Sequence, residues 1–276
     1  SNNSNIIDAK GNFLMPGLID AHFHANTPSY DFYASDRMPA ALIAAHAAQI
    51  LTGVLKRGYT TIRDAGGLDA GFKQAINEGI IPGPRLQVSL SIITPTGGIG
   101  QHTSPSGYAN PVPPDPSLPS GLANGAEEMR AKVREMVQAG ADVIKFATTG
   151  GASSRPGLGP KDMLIGVDEI NALVDEAHRL GKRVMCHALG GPGLRHGIEA
   201  GVDSIEHGTY LDEDPALLSL MASKNIFLTP TFSVYLYHSD IGTQHGIRRA
   251  LALKDHHIKS VQMALDAGVK VVAGTD

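Results

Sequence analysis

Short apolar or β-branched runs alternate with amphipathic stretches along the whole chain. The runs at 17–24, 59–67, 84–98, 141–151, 183–188, 202–209, 226–233 and 269–276 read as strands. Between them, 39–58, 70–79, 125–140, 167–182, 193–201, 214–225 and 246–268 read as helices. A helix between successive strands calls for parallel neighbours, which leaves two architectures. An open doubly wound sheet needs a glycine-rich phosphate loop after its first strand, and none is present. A closed (β/α)8 TIM barrel needs eight such units in roughly 250 residues, which the 276 residues supply. The expected fold is therefore α/β, a (β/α)8 barrel over 17–276.

Local signals agree. The 39–58 helix closes on a basic pair and a glycine, and Pro215 falls in the first turn of 214–225. Met129, Val133, Met136 and Val137 recur at helical spacing in 125–140. In 167–182, Ile170, Leu173, Val174, Ala177 and Leu180 form one face. The proline-rich stretch 104–121 is a long loop, of a length often functional in compact domains.

A barrel also says where chemistry should lie, at the C-terminal ends of its strands. In the 17–24 run, His22 and His24 stand two apart and so share a strand face. Two adjacent imidazoles are best satisfied by a metal ion. Lys145, His187, His207 and Asp276 each end a later strand, just before the small or polar residues that begin a loop. Four histidines, a lysine and an aspartate are expected at one rim. Each has a plainer alternative: His187 as a core histidine, Glu206 and His207 as a local ion pair, Lys145 paired with an acid, Asp276 capping a helix. The shared rim favours the metal.

Composition narrows the rest. Net charge is −4 with no basic cluster, which argues against nucleic acid. No apolar run is long enough to span a bilayer. A single cysteine, Cys186, fits a reducing, cytoplasmic setting, and the polar start does not read as a signal peptide, although one removed upstream stays open.

The motifs "PGLIDAHFH", "VIKFATTGG", "MCHA", "IEHG" and "AGTD", in this order, resemble the metal-binding motifs of the amidohydrolase superfamily. With "TTIRDAGG" and "ITPTGG", the chain looks most like the imidazolonepropionase- and prolidase-like subgroup, which includes dipeptidases cleaving next to proline or arginine. The resemblance implies that 1–16 is a remnant of an N-terminal β-sandwich. It also implies that the chain is a barrel fragment, lacking most of that sandwich and the last barrel helix. One departure stands out. The subgroup tends to place a histidine straight after the two glycines of the third strand, where this chain has Ile99, with His102 three residues on.

By the same resemblance, His22, His24 and Asp276 hold one divalent metal, His187 and His207 hold a second, and Lys145 bridges both as a carbamate. Zinc is the first expectation for these nitrogen and oxygen ligands, with manganese and cobalt also compatible. A hydroxide shared by the metals attacks a carbonyl carbon, and Asp276 relays the proton to the leaving nitrogen. The expected reaction is hydrolysis of an amide-type C–N bond in a dipeptide or N-acyl amino acid. A urea or carbamate is the runner-up. A mononuclear deaminase is disfavoured by Lys145, and an inactive scaffold by the complete ligand set. His102, Tyr235, His238 and Arg155 are the candidate substrate contacts. Arg63 and Asp64 are expected to brace the rim; His196, His245, His256 and His257 read as surface residues. Members often form symmetric multimers, so a homo-oligomer is expected.

Overall fold

The computed structural model describes residues 8–27, 38–101, 116–152 and 157–276. The alternation read from the sequence is realised. In order come β1 (Leu18–Phe23), α1 (Ala40–Lys56), β2 (Tyr59–Asp64), α2 (Ala70–Asn77), β3 (Arg85–Val88), β4 (Ile92–Ile93), α3 (Ala126–Gln138) and β5 (Val143–Ala147). They are followed by α4 (Val167–Arg179), β6 (Arg183–Ala188), α5 (Gly191–Glu199), β7 (Ser204–His207), α6 (Pro215–Lys224), β8 (Phe227–Thr229), α7 (Phe232–Ile241) and α8 (Gln244–Asp266).

All strand pairs are parallel, in a three-stranded sheet β1-β2-β3 and a five-stranded sheet in the order β4-β5-β6-β7-β8. The expected third strand, 84–98, is thus two pieces. Leu90 sits between them at φ 68°, a left-handed conformation that ends one ladder before the next begins. The expected last strand forms a single bridge, Leu228 to Val271. Its backbone nevertheless bonds on both sides. Val272 N–H donates to Leu228 O (2.9 Å), Ala21 N–H to Ala273 O (2.9 Å) and Asp276 N–H to His22 O (2.7 Å). The terminal segment therefore runs between β8 and β1. Gly274 makes this approach sterically feasible, because a Cβ there would lie 2.5 Å from Thr229 Cγ2 and 2.8 Å from His22 Cβ.

Strand periodicity sorts the two faces. Ile144, Phe146, Val184, Cys186 and Ile205 join the main apolar core with helix residues such as Met129, Val133, Ile170 and Leu173. The alternate positions look inward. There Val143, Met185 and Ala65 form a small separate apolar cluster. Around it the inner face is polar. Arg63 of β2 donates to Glu206 of β7 (3.0 Å), Ser204 of β7 (3.3 Å) and Thr229 of β8 (3.4 Å). These bonds set the polar faces of the two sheets against one another.

Two expectations change here. The stretch 233–240, lying between the expected strand 226–233 and the expected helix 246–268, belongs to helix α7. His257, read as a surface residue, is 1% exposed, with its ring centroid 4.7 Å from that of Phe232 and 4.4 Å from that of Tyr235. Its helix buries Ala250, Leu253, His257, Ser260, Val261 and Ala264, a three- and four-residue spacing that includes it.

Candidate metal centre

The strand ends bring five of the expected ligands together with Lys145. His22 is buried near the end of β1, and His24 lies just beyond it on the same side. Their Nε2 atoms point at one oxygen. Asp276 Oδ1 is 3.2 Å from His22 Nε2 and 3.2 Å from His24 Nε2. Among the described residues, these three donors form a metal-compatible group within 4.8 Å of one another. Lys145 Nζ lies 3.3 Å from the same His22 nitrogen. The ring of His207 is 5.1 Å from that of His22 and 4.6 Å from that of His187.

Backbone strain aids the convergence. Strand alternation would put Glu206 and His207 on opposite faces. His207 instead adopts φ 73°, costly for a residue with a Cβ, and its ring joins the site beside the rings of His22 and His187. Asp276, at φ 68°, is turned in the same way.

Each imidazole has one nitrogen occupied by the protein. His22 Nδ1 meets Glu206 Oε2 at 2.6 Å, His24 Nδ1 meets the Gly66 carbonyl at 2.9 Å, and His207 Nδ1 meets Thr231 Oγ1 at 2.6 Å. His187 uses its other nitrogen, Nε2, against the Gly150 carbonyl at 3.4 Å. Such outer partners fix ring orientation and leave the remaining nitrogen for a metal.

Electrostatics point the same way at His187 and His207, while at His24 burial is outweighed by the hydrogen bond and charge of Asp276, which raise its pKa. Burial, helped by the Lys145 charge, pushes His187 down to about 3, and burial with His187 nearby holds His207 well below its usual range. Both rings are neutral at pH 7, as ligands must be. Burial works against the Asp276 carboxylate, but the histidines around it, His22, His24 and His207, outweigh it and hold its pKa well below normal. Burial lowers the Lys145 pKa against the opposing pull of Glu206 and Asp276.

The sequence match decides the family. The amidohydrolase family pattern covers residues 13–276. The chain belongs to the amidohydrolase family. An ochratoxinase from Aspergillus niger is 34% identical over 281 residues, covering 95% of this chain and 58% of that protein, so this chain spans little more than half the relative's length. A prolidase solved with N-methylphosphonate-L-proline matches with a TM-score of 0.85 and 31% identity, over 95% of this chain and 65% of the other. A Xaa-Pro dipeptidase with methionine in its active site matches with a TM-score of 0.82 and 30% identity, over 95% of this chain and 66% of the other.

Amidohydrolases generally use divalent metals, and the donor set here fits them. With Nδ1 facing an ionised carboxylate, His22 turns a bare Nε2 toward an Asp276 oxygen, an arrangement that a cation between them relieves.

Of the proposed substrate contacts, Tyr235 and His238 lie in α7 and are 3% and 7% exposed. The Tyr235 hydroxyl bonds to Thr209 Oγ1. His102 and Arg155 lie outside the described residues. The Asp64 carboxylate accepts from the N–H groups of Ala25, Gly66 and Leu68. Arg63 turns inward to Glu206. Glu206 does not pair with His207, the alternative weighed from sequence. It faces His22, and its place in the site was missed. An acid two residues past an inward-facing serine was the available signal.

The depressed His187 gives a pH prediction for the metal-free protein. The unfolded chain takes up a proton at this ring near 6.5, whereas the folded ring stays neutral down to about 3. Its contribution is therefore intact above pH 6.5 and lost as pH falls toward 3. Asp64, pushed up to about 6 by burial, acts in the opposite sense. His187→Gln should flatten the fall of Tm below pH 6.5, by up to about one proton in slope. Identical Tm-against-pH curves for the two proteins would contradict the assignment.

Proposed function

We propose that this chain is the (β/α)8 barrel of a binuclear metal hydrolase that cleaves an amide-type C–N bond in a small molecule. Dipeptides and N-acyl amino acids are the substrate class. The observation that carries the reading is the convergence of His22, His24, Asp276 and Lys145 on one point beside His187 and His207. Similarity to an ochratoxinase and to a prolidase supports amide hydrolysis. In this reading the terminal segment closes the two sheets into one ring. The segment before β1 is then a remnant of a β-sandwich, a role suited to the 99% exposed Phe13 and 98% exposed Leu14.

His22, His24 and Asp276 would hold one divalent cation and His187 and His207 the second, with Lys145, as a carbamate, supplying oxygen ligands to both. Zinc suits the donors best. When bound, the pair supplies Lewis acidity that activates water and polarises the scissile carbonyl. The remaining work is the chain's. Asp276, held ionised, takes a proton from the attacking water and returns it to the leaving nitrogen, as base and then acid. His238 and Tyr235 on α7, with His102 and Arg155, are the substrate contacts of this reading.

The test is a hydrolysis screen of the full-length protein against dipeptides and N-acyl amino acids, with aryl-ureas included. Turnover of dipeptides or N-acyl amino acids above the ureas is expected. Turnover of ureas alone would move the substrate class, and no C–N cleavage by metal-loaded protein would contradict the reading.

A further inference from the structure

We propose that Glu206 is a positioning residue that selects the metal-binding form of His22. It takes the Nδ1 proton in a hydrogen bond and leaves Nε2 bare toward the centre. The inference rests on the reading of His22 as a ligand.

The two oxygens of Glu206 have separate tasks. Among the described residues, Oε2 meets only His22 Nδ1, at 2.6 Å. Oε1 accepts from Arg63 at 3.0 Å and from Ser204 Oγ at 2.5 Å. Arg63 is itself fixed, its Nε donating to the Ala21 carbonyl at 2.6 Å in the strand that carries His22. Glu206 is fully buried, and a buried carboxylate persists only when paired and hydrogen-bonded, as this one is. An ionised carboxylate can only accept, so the nitrogen it faces must carry the proton. That leaves His22 Nε2 as the unprotonated nitrogen, the one beside Asp276 Oδ1 and Lys145 Nζ.

This assigns Glu206→Gln a specific defect. The side chain keeps its shape, but Arg63 and Ser204 both donate and therefore claim the amide carbonyl. The NH2 group then faces His22 Nδ1 and makes that nitrogen the acceptor. The proton moves to Nε2, where it blocks the ligand position. Loss of such an outer partner costs about 10–100-fold in metal affinity. Ser204→Ala removes a bond to Oε1 and leaves Oε2 untouched. It separates a merely structural role from a positioning one.

The experiment uses the full-length protein and zinc in competition with a chelator, together with Tm of the metal-free forms and the proton spectrum of the imidazole N–H region. Glu206→Gln should bind zinc about 10–100-fold more weakly, and lose a hydrogen-bonded imidazole N–H resonance that the wild type shows. Ser204→Ala should lower Tm while keeping zinc affinity and that resonance. Glu206→Asp, which retains the charge against Arg63, should bind zinc more tightly than Glu206→Gln. Should the Gln variant fail to fold, Glu206→Asp and Ser204→Ala are compared with wild type directly. Glu206→Asp must then bind more weakly than Ser204→Ala. Wild-type zinc affinity in Glu206→Gln, or in a folded Glu206→Asp when the Gln variant does not fold, would overturn the proposal. A wild type that binds no zinc would instead sink the ligand reading. The N–H resonance would still test the His22–Glu206 bond alone, and its absence from the wild type would overturn the positioning role.

Discussion

Replacing Lys145 with alanine is expected to abolish nearly all turnover, and added acetate to restore part of it. Lys145 is 1% exposed, and its nitrogen sits 3.3 Å from His22 Nε2. An ammonium there would repel cations held by the neighbouring histidines, and the buried site screens that repulsion poorly. Burial favours the neutral amine, although the Glu206 and Asp276 charges oppose it. A neutral amine can add carbon dioxide through its lone pair and release a proton, becoming a carbamate with one negative charge and two oxygens. The cation that repels would become an anion able to bridge two metals. Losing an outer partner of a metal costs up to about 100-fold, and losing a direct ligand should cost more. Acetate is small enough to enter the gap left in Lys145→Ala and supplies the same two oxygens. The readouts are metal content and kcat with and without acetate. Wild-type activity in the alanine variant, or an unmodified Lys145 beside two fully occupied metals in a well-resolved density map, would contradict the bridge.

Asp276→Asn should separate binding from proton transfer. Asp276 touches both His22 and His24 through one oxygen, and the strained φ of 68° aims it there. An asparagine keeps the shape and an oxygen able to ligate weakly, but it cannot carry a proton. Metal content should stay largely intact. kcat should fall by about 10²–10⁴-fold, the usual share of general acid–base catalysis. A fall confined to KM, or an unchanged kcat, would remove Asp276 from the mechanism.

Much of this site was legible in the sequence. His22 and His24 declared a shared face by their spacing, and the strand-end rule for parallel βα units brought in Lys145, His187, His207 and Asp276. What stayed hidden depends on single backbone torsions and on contacts between distant strands. Glu206 and His207 are consecutive, so alternation separates them; the left-handed turn at His207 brings both to the inner side. Arg63 reaches Glu206 across 143 positions of sequence, and no local pattern encodes that contact. No helix was expected between 233 and 246, where the left-handed Thr231 ends β8 and opens helix α7. Inward-facing polar residues were harder to anticipate still, because barrel interiors are usually filled by branched apolar side chains.

The central claim is a pair of metals held by these six residues. Elemental analysis of the purified full-length protein tests it most directly, with His22→Ala measured alongside. The account predicts two divalent ions per chain in the wild type and the loss of at least one, with nearly all turnover, in His22→Ala. Active wild-type protein with no bound metal, or a His22→Ala variant that keeps two ions and full activity, would contradict it.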